Sequence, residues 1–143
     1  MFAPSQEEVR RFFCSAWAKH QAVQPLTPLE ALAVDWITQH PEYHPDLSDV
    51  EAAIAAQFQV EEGRTNPFLH LSMHLSITEQ TSIDQPRGIK AAVERLAHRR
   101  ASLHEAHHEV MEALGQMVWA SQRSGQPFDG EAYIAEVLAR ASR

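Results

Sequence analysis

Four times along this chain a serine or threonine stands three residues ahead of a glutamate, just before apolar residues spaced by threes and fours: Ser5/Glu8, Thr27/Glu30, Ser48/Glu51 and Ser102/Glu105. This pattern opens helices. The hydroxyl accepts from an amide left unpaired in the first turn, and the carboxylate reaches back to the backbone N–H of the capping residue. Asn66-Pro67 is a fifth start, with proline at the first helical position, where no amide is needed. Stops follow at Pro25, His40-Pro41, Gly63, Pro86-Arg87-Gly88 and Ser124-Gly125-Gln126-Pro127. Together these signals predict about seven helices, near 6–22, 28–39, 49–60, 67–82, 88–99, 103–123 and 130–141. Residues 88–123 could run as one helix, but the Ser102 capping box argues for a break near 99–101.

The apolar spacing inside these segments is helical. Val9, Phe12, Phe13, Ala16 and Trp17 form one stripe, and Tyr133, Ile134, Val137, Leu138 and Ala141 another. No alternating β-branched run bounded by hairpin turns occurs. The expected fold is all-α, a single-domain helical bundle over 1–143 with a histidine-lined interior. At 143 residues, 44% of them hydrophobic, the chain can bury a core of its own.

Charge and cysteine content exclude several functions. The net charge is −7 and no Lys/Arg cluster lies along one helix; Arg10/Arg11 and Arg99/Arg100 are short pairs, which suit a solvated helix face. Phosphate-backbone binding needs a basic cluster, so no nucleic-acid partner is expected. One cysteine, Cys14 beside Phe13, allows neither an internal disulfide nor a cysteine zinc site, and it suits a packed thiol. The first residues lack a basic stretch followed by an apolar run, and no apolar run reaches membrane-spanning length, so a cytoplasmic location without membrane contact is expected.

Nine histidines, at 20, 40, 44, 70, 74, 98, 104, 107 and 108, carry the functional signal. On 67–82, Ser72, Ser76 and Glu79 share a polar stripe, with Phe68, Leu71 and Leu75 on one flank and Leu69, Met73 and Ile77 on the other. His70 and His74 lie opposite that stripe, one turn apart. On 103–123, Glu105, Glu109, Gln116 and Arg123 form the wet side. Opposite lie His104, His108, Met111, Gly115, Val118 and Trp119, with Glu112 at the edge. An unpartnered buried imidazole costs on the order of 1–3 kcal/mol per polar group, and a metal ion removes that cost. Two His-x-x-x-His pairs on separate helices of a bundle therefore predict a metal site.

The predicted ligands are His44, His70, His74, His104, His108 and Glu112, with His40 and Glu30 as weaker candidates. His40 and His44 precede prolines, which push both out of the helical region. His44 is then free to ligate, whereas His40 could simply cap carbonyls at a helix end. Glu30 belongs first to its capping box. Glu105 and Glu79 fall on wet faces, His20 and His98 lack partners at useful spacing, and His107 is borderline. An imidazole-rich, carboxylate-poor donor set suits iron or zinc, with nickel or copper next, as one ion or as two bridged by Glu112. An open coordination position would activate water or dioxygen. No second general base or nucleophile accompanies the set, so enzyme status and any small-molecule substrate stay open.

Competing readings share the same residues. The rings could hydrogen-bond to one another and to Glu112 or Tyr43, in a metal-free interaction module or homodimer with an apolar patch around Phe12, Phe13 and Trp17. A haem protein with axial histidines is a third reading, and a pH switch driven by clustered histidines a fourth.

The segments His40-Pro41-Glu42-Tyr43-His44, Asn66-Pro67-Phe68-Leu69-His70 through His74, His104 through Glu112, and Trp119-Ala120-Ser121-Gln122-Arg123 with Pro127 resemble a family of small proteobacterial proteins, domain-of-unknown-function family 1841. The resemblance spans 26–141 and implies no activity. Members of that family often carry glutamate where this chain has His107, which implies that a ligand at that position is not required. A looser likeness, of architecture alone, is to hemerythrin-type metal-binding bundles.

Overall fold

The structure, a computed structural model, describes residues 5–58 and 66–143. Among them are eight α-helices and no strand: α1 (Gln6–Gln21), α2 (Pro28–Thr38), α3 (His44–Leu47), α4 (Val50–Ala55), α5 (Pro67–Ile83), α6 (Ile89–Arg100), α7 (Leu103–Ser124) and α8 (Gly130–Ala141). A 3-10 turn, Pro41–Tyr43, precedes α3. No described helix is long and apolar enough to cross a membrane. The chain forms two compact units, 1–75 and 76–143.

Most of the predicted starts operate. Ser5 accepts from the Glu8 amide, and Thr27 and Glu30 form a complete reciprocal capping box. Asn66 Oδ1 accepts from the amides of Phe68 and Leu69. Ser102 accepts from the Glu105 amide. The exception is Ser48, whose hydroxyl instead donates to the His44 carbonyl, while Asp49 caps α4. The reason is α3: His44 keeps helical dihedrals (φ −56°, ψ −42°), so Ser48 ends a turn and cannot begin one. The expectation that Pro45 drives His44 out of the helical region is corrected here, since only His40 leaves it (φ −126°, ψ 64°). The predicted helix over 49–60 is shorter than expected, with Ala56 already extended. Gly63 lies outside the described residues.

In the first unit, α1 is the central element. Its Phe13, Cys14, Ala16 and Trp17 are buried with Ala33, Val34, Trp36 and Ile37 of α2, Leu47, Ala53, Phe68 and Leu71. Burial pushes the Cys14 thiol above its usual pKa, with Asp49 adding to the effect, which keeps it an inert packed group. Arg10 is buried beside Phe58 and Phe68 and donates to the carbonyls of Ala53 and Ala56 at 2.8 and 2.7 Å. A cation thus satisfies the open C-terminal end of α4.

In the second unit α6, α7 and α8 pack on one another. Ile89, Val93 and Leu96 are buried, as are Ala106, Val110 and Met111 of α7 and Tyr133 and Val137 of α8. The Tyr133 hydroxyl donates to Gln80 Oε1 at 2.7 Å, and burial raises its pKa. The stretch 88–123 is two helices, broken where Ala101 adopts a left-handed conformation (φ 55°, ψ 31°) and its amide bonds back to Ala97 and His98. An L-residue with a Cβ is strained there, so Ala101→Gly is expected to raise stability by about 1 kcal/mol. The urea midpoint measures this, and an unchanged or lower midpoint would count against strain at the break.

The inward face of α7 is rotated from the predicted one. Val118 and Trp119, expected inside, are 40% and 60% exposed, whereas His107 is buried beside Ala106 and Val110. Leu69 of α5, expected on a buried flank, is also 60% exposed.

Candidate metal centre

His40 ends α2. Its ring turns back along the helix, bringing Nδ1 to 2.7 Å from the carbonyl oxygen of Trp36. A carbonyl can only accept, so Nδ1 carries the proton and Nε2 is left with its lone pair. A ligating histidine is usually held in this way, its second nitrogen fixing both tautomer and ring orientation. The residue is 2% exposed.

The other two rings of the group come from α5, where i, i+4 spacing stacks His70 and His74 on one face. Their Nε2 atoms are 3.1 Å apart. The His40 ring centroid lies 4.9 Å from that of His70 and 4.8 Å from that of His74, and the latter two are 4.8 Å apart. Three imidazoles from two separate segments of the first unit therefore converge. A 3.1 Å gap suits an N–H···N hydrogen bond. It also equals the bite of one cation bound at about 2.05 Å with an N–metal–N angle of about 98°.

Aromatic rings hold this group in place. Trp36 stacks on His74 with centroids 4.0 Å apart and planes 16° from parallel. Tyr43 lies parallel to His40 at 5.1 Å and edge-on to His70 at 5.8 Å. Burial, then the nearby Glu42 and Asp46, raise the Tyr43 pKa, so its phenol stays neutral.

In the second unit the predicted pair His104 and His108 is in contact, centroids 4.5 Å apart, and both residues are half-buried. His107 is 2% exposed. Desolvation first, then the charges of His104 and His108, push its pKa down to about 4. It is therefore neutral in the folded chain near pH 7. Its burial was legible in principle, because His107 falls in register with Val110 and Met111.

The remaining predicted residues have other partners. The His44 ring stacks on Trp17 at 4.3 Å, and its Nε2 lies 3.0 Å from the Ile37 carbonyl, leaving Nδ1 as its bare nitrogen. Glu30 accepts from the Thr27 amide and from Lys19 Nζ, both at 2.9 Å, and these bonds lower its pKa. Glu112 is exposed and pairs with Arg140 at 2.8 Å, while Arg140 also binds Glu136.

A family model described as "Domain of unknown function (DUF1841)" matches residues 5–139. No curated protein and no solved structure matches the chain.

Proposed function

The chain belongs to the DUF1841 family, and we propose that it is a metal-binding helical protein that holds a transition-metal ion through imidazoles. In the first unit His40 and His74 are buried and each offers a ring nitrogen, and His70 joins them through its 3.1 Å approach to His74. In the second unit His104 and His108 form a further imidazole pair. The observation that carries the reading is the convergence of His40, His70 and His74, with the His40 Nδ1–H bond to the Trp36 carbonyl fixing that ring's tautomer and orientation beside the other two imidazoles. A core built for packing alone has no need of several imidazoles in contact, each bringing polar atoms that must be satisfied.

The donors suit zinc or iron, and copper or nickel next. One ion accounts for the three imidazoles of the first unit. A second ion, bridged by Glu112, would require that carboxylate to leave Arg140. His44 can contribute only through Nδ1, and Glu30 only by giving up its cap. The ion when bound would act as a Lewis acid toward water or a small oxygen ligand. In a metal-free protein, the same rings would form a hydrogen-bonded network within an interaction module.

The test is elemental analysis of protein produced without a histidine tag. At least one equivalent of zinc or iron is expected, and it should be absent from a His70→Ala/His104→Ala double variant. Metal content unchanged by that double substitution, or no metal after reconstitution with either ion, would overturn the proposal.

A further inference from the structure

We propose that the C-terminal half of α7 is a dimerisation surface, which pairs with the same surface of a second copy so that the two helices run antiparallel. α7 has 22 residues, whereas α6 and α8, which pack on it in the second unit, have 12 each. Its buried residues end at Ala113. Around and beyond that point Glu112, Gly115, Gln116, Trp119, Gln122 and Arg123 fall on one face, opposite Ala106, Val110 and Ala113. In the described part of the chain all six are exposed.

Composition marks this face for a protein partner. Residues 113–124 carry a single charge, Arg123, in a chain that is 22% charged. Trp119 is 60% exposed, with the Arg123 guanidinium 5.1 Å from its ring centroid. Tryptophan and arginine on a charge-poor patch are the residues that protein interfaces concentrate. Gly115 is an independent sign. It lies inside the helix, and a Cβ there would meet nothing within 4 Å. The fold of one chain therefore has no use for a glycine, which weakens a helix interior. Close approach of another helix does use it.

The charge pattern selects the occupant. Glu112 and Arg123 are eleven residues apart, three turns along the same face. With a two-fold axis beside Met117 and Val118, Glu112 of each copy lies opposite Arg123 of the other, and Trp119 lies opposite Gln116. Glu112 binds Arg140 through one oxygen, yet its side chain is 66% exposed and has room for a second cation. The face is complementary to itself only in this sense, since a parallel pair would set like charges side by side. The contact is about 18 Å of helix, which suits a weak dimer with a dissociation constant on the order of tens of micromolar.

Sedimentation equilibrium of the full chain, from micromolar to millimolar concentration with chelator present, tests the proposal without metal-bridged association. The parent protein is expected to form dimers. Glu112→Arg and Arg123→Glu proteins each place two like charges at both contacts and should dimerise at least about tenfold more weakly. An equimolar mixture of the two restores opposite charges and should recover a one-to-one dimer of near-parental affinity. Gly115→Leu should abolish the dimer, while circular dichroism shows the helices retained. A parent that stays monomeric at millimolar concentration overturns the proposal, whether another part of the chain or a different protein covers the face. Dimers indifferent to both charge substitutions, a mixture no tighter than either variant alone, or a Gly115→Leu protein that still dimerises would also overturn it.

Discussion

Replacing His74 with phenylalanine is expected to lower metal affinity by about a hundredfold while leaving the helical fold in place. The magnitude follows from the worth of a complete structural metal site, roughly 10–16 kcal/mol over four ligands, so that one ligand carries about 3 kcal/mol, or about two decades in affinity. Phenylalanine is chosen over alanine for a packing reason. His74 is fully buried and stacked on Trp36 at 4.0 Å, and truncation to alanine would cost on the order of 2–5 kcal/mol through the cavity alone. A ring at the same position keeps the stack and removes only the nitrogens. Competition with a chromophoric chelator measures the affinity, and circular dichroism checks the fold. Equal affinity in the two proteins would show that Nε2 of His74 is no ligand and that the 3.1 Å approach to His70 is a hydrogen bond.

The same substitution separates metal from packing in thermal stability. A ligand present at a thousand times its dissociation constant stabilises the folded state by about 4 kcal/mol. At the same metal concentration the variant sits at about ten times its own dissociation constant, worth about 1.4 kcal/mol, so chelation should lower the melting temperature of the parent protein by roughly 10 °C and that of His74→Phe by only about a third as much. A chelator-insensitive parent would point to the metal-free network instead.

How much of this was legible in the sequence differs between backbone and side chains. Helix existence and most starts were legible because caps are local: Thr27 and Glu30 meet across three residues whatever the rest of the chain does. Ser48 failed for the same reason, since its pattern was correct but α3, which occupies its hydroxyl, forms against the tendency of a residue before proline. The break at Ala101 was placed correctly by the Ser102 box. On α5 the periodicity put His70 and His74 on one face, and they are in contact. On α7 the apolar spacing includes Val118 and Trp119, which are exposed in the fold, and that spacing turns the inferred face away from the buried His107. The His40 bond to the Trp36 carbonyl is local, four residues back, and is the helix-end cap that the sequence offered for His40. The stack of Trp36 on His74 and the edge-on approach of Tyr43 to His70 instead depend on contacts of α2 and the Pro41–Tyr43 turn with α5. Tertiary contacts of that kind leave no periodic trace in one sequence.

The metal-free protein should lose stability on acidification through His107. In the fold this ring titrates near 4, below its ordinary 6.5, because burial and the neighbouring His104 and His108 oppose its charged form. The unfolded chain therefore binds the proton more readily than the folded one. The corresponding stability is fully present above about pH 6.5 and is lost as pH falls from there through about 4. A depression of this size corresponds to a loss on the order of 3 kcal/mol by pH 4. Carboxylates titrate in the same range, so the informative quantity is a double difference. Urea denaturation of chelator-treated parent and His107→Gln proteins at pH 7.5 and pH 4 should show the parent losing roughly 3 kcal/mol more than the variant. Parallel losses in the two proteins would mean that His107 is solvated or charge-paired when protonated, and the neutral, desolvated ring inferred from its 2% exposure would have to be abandoned.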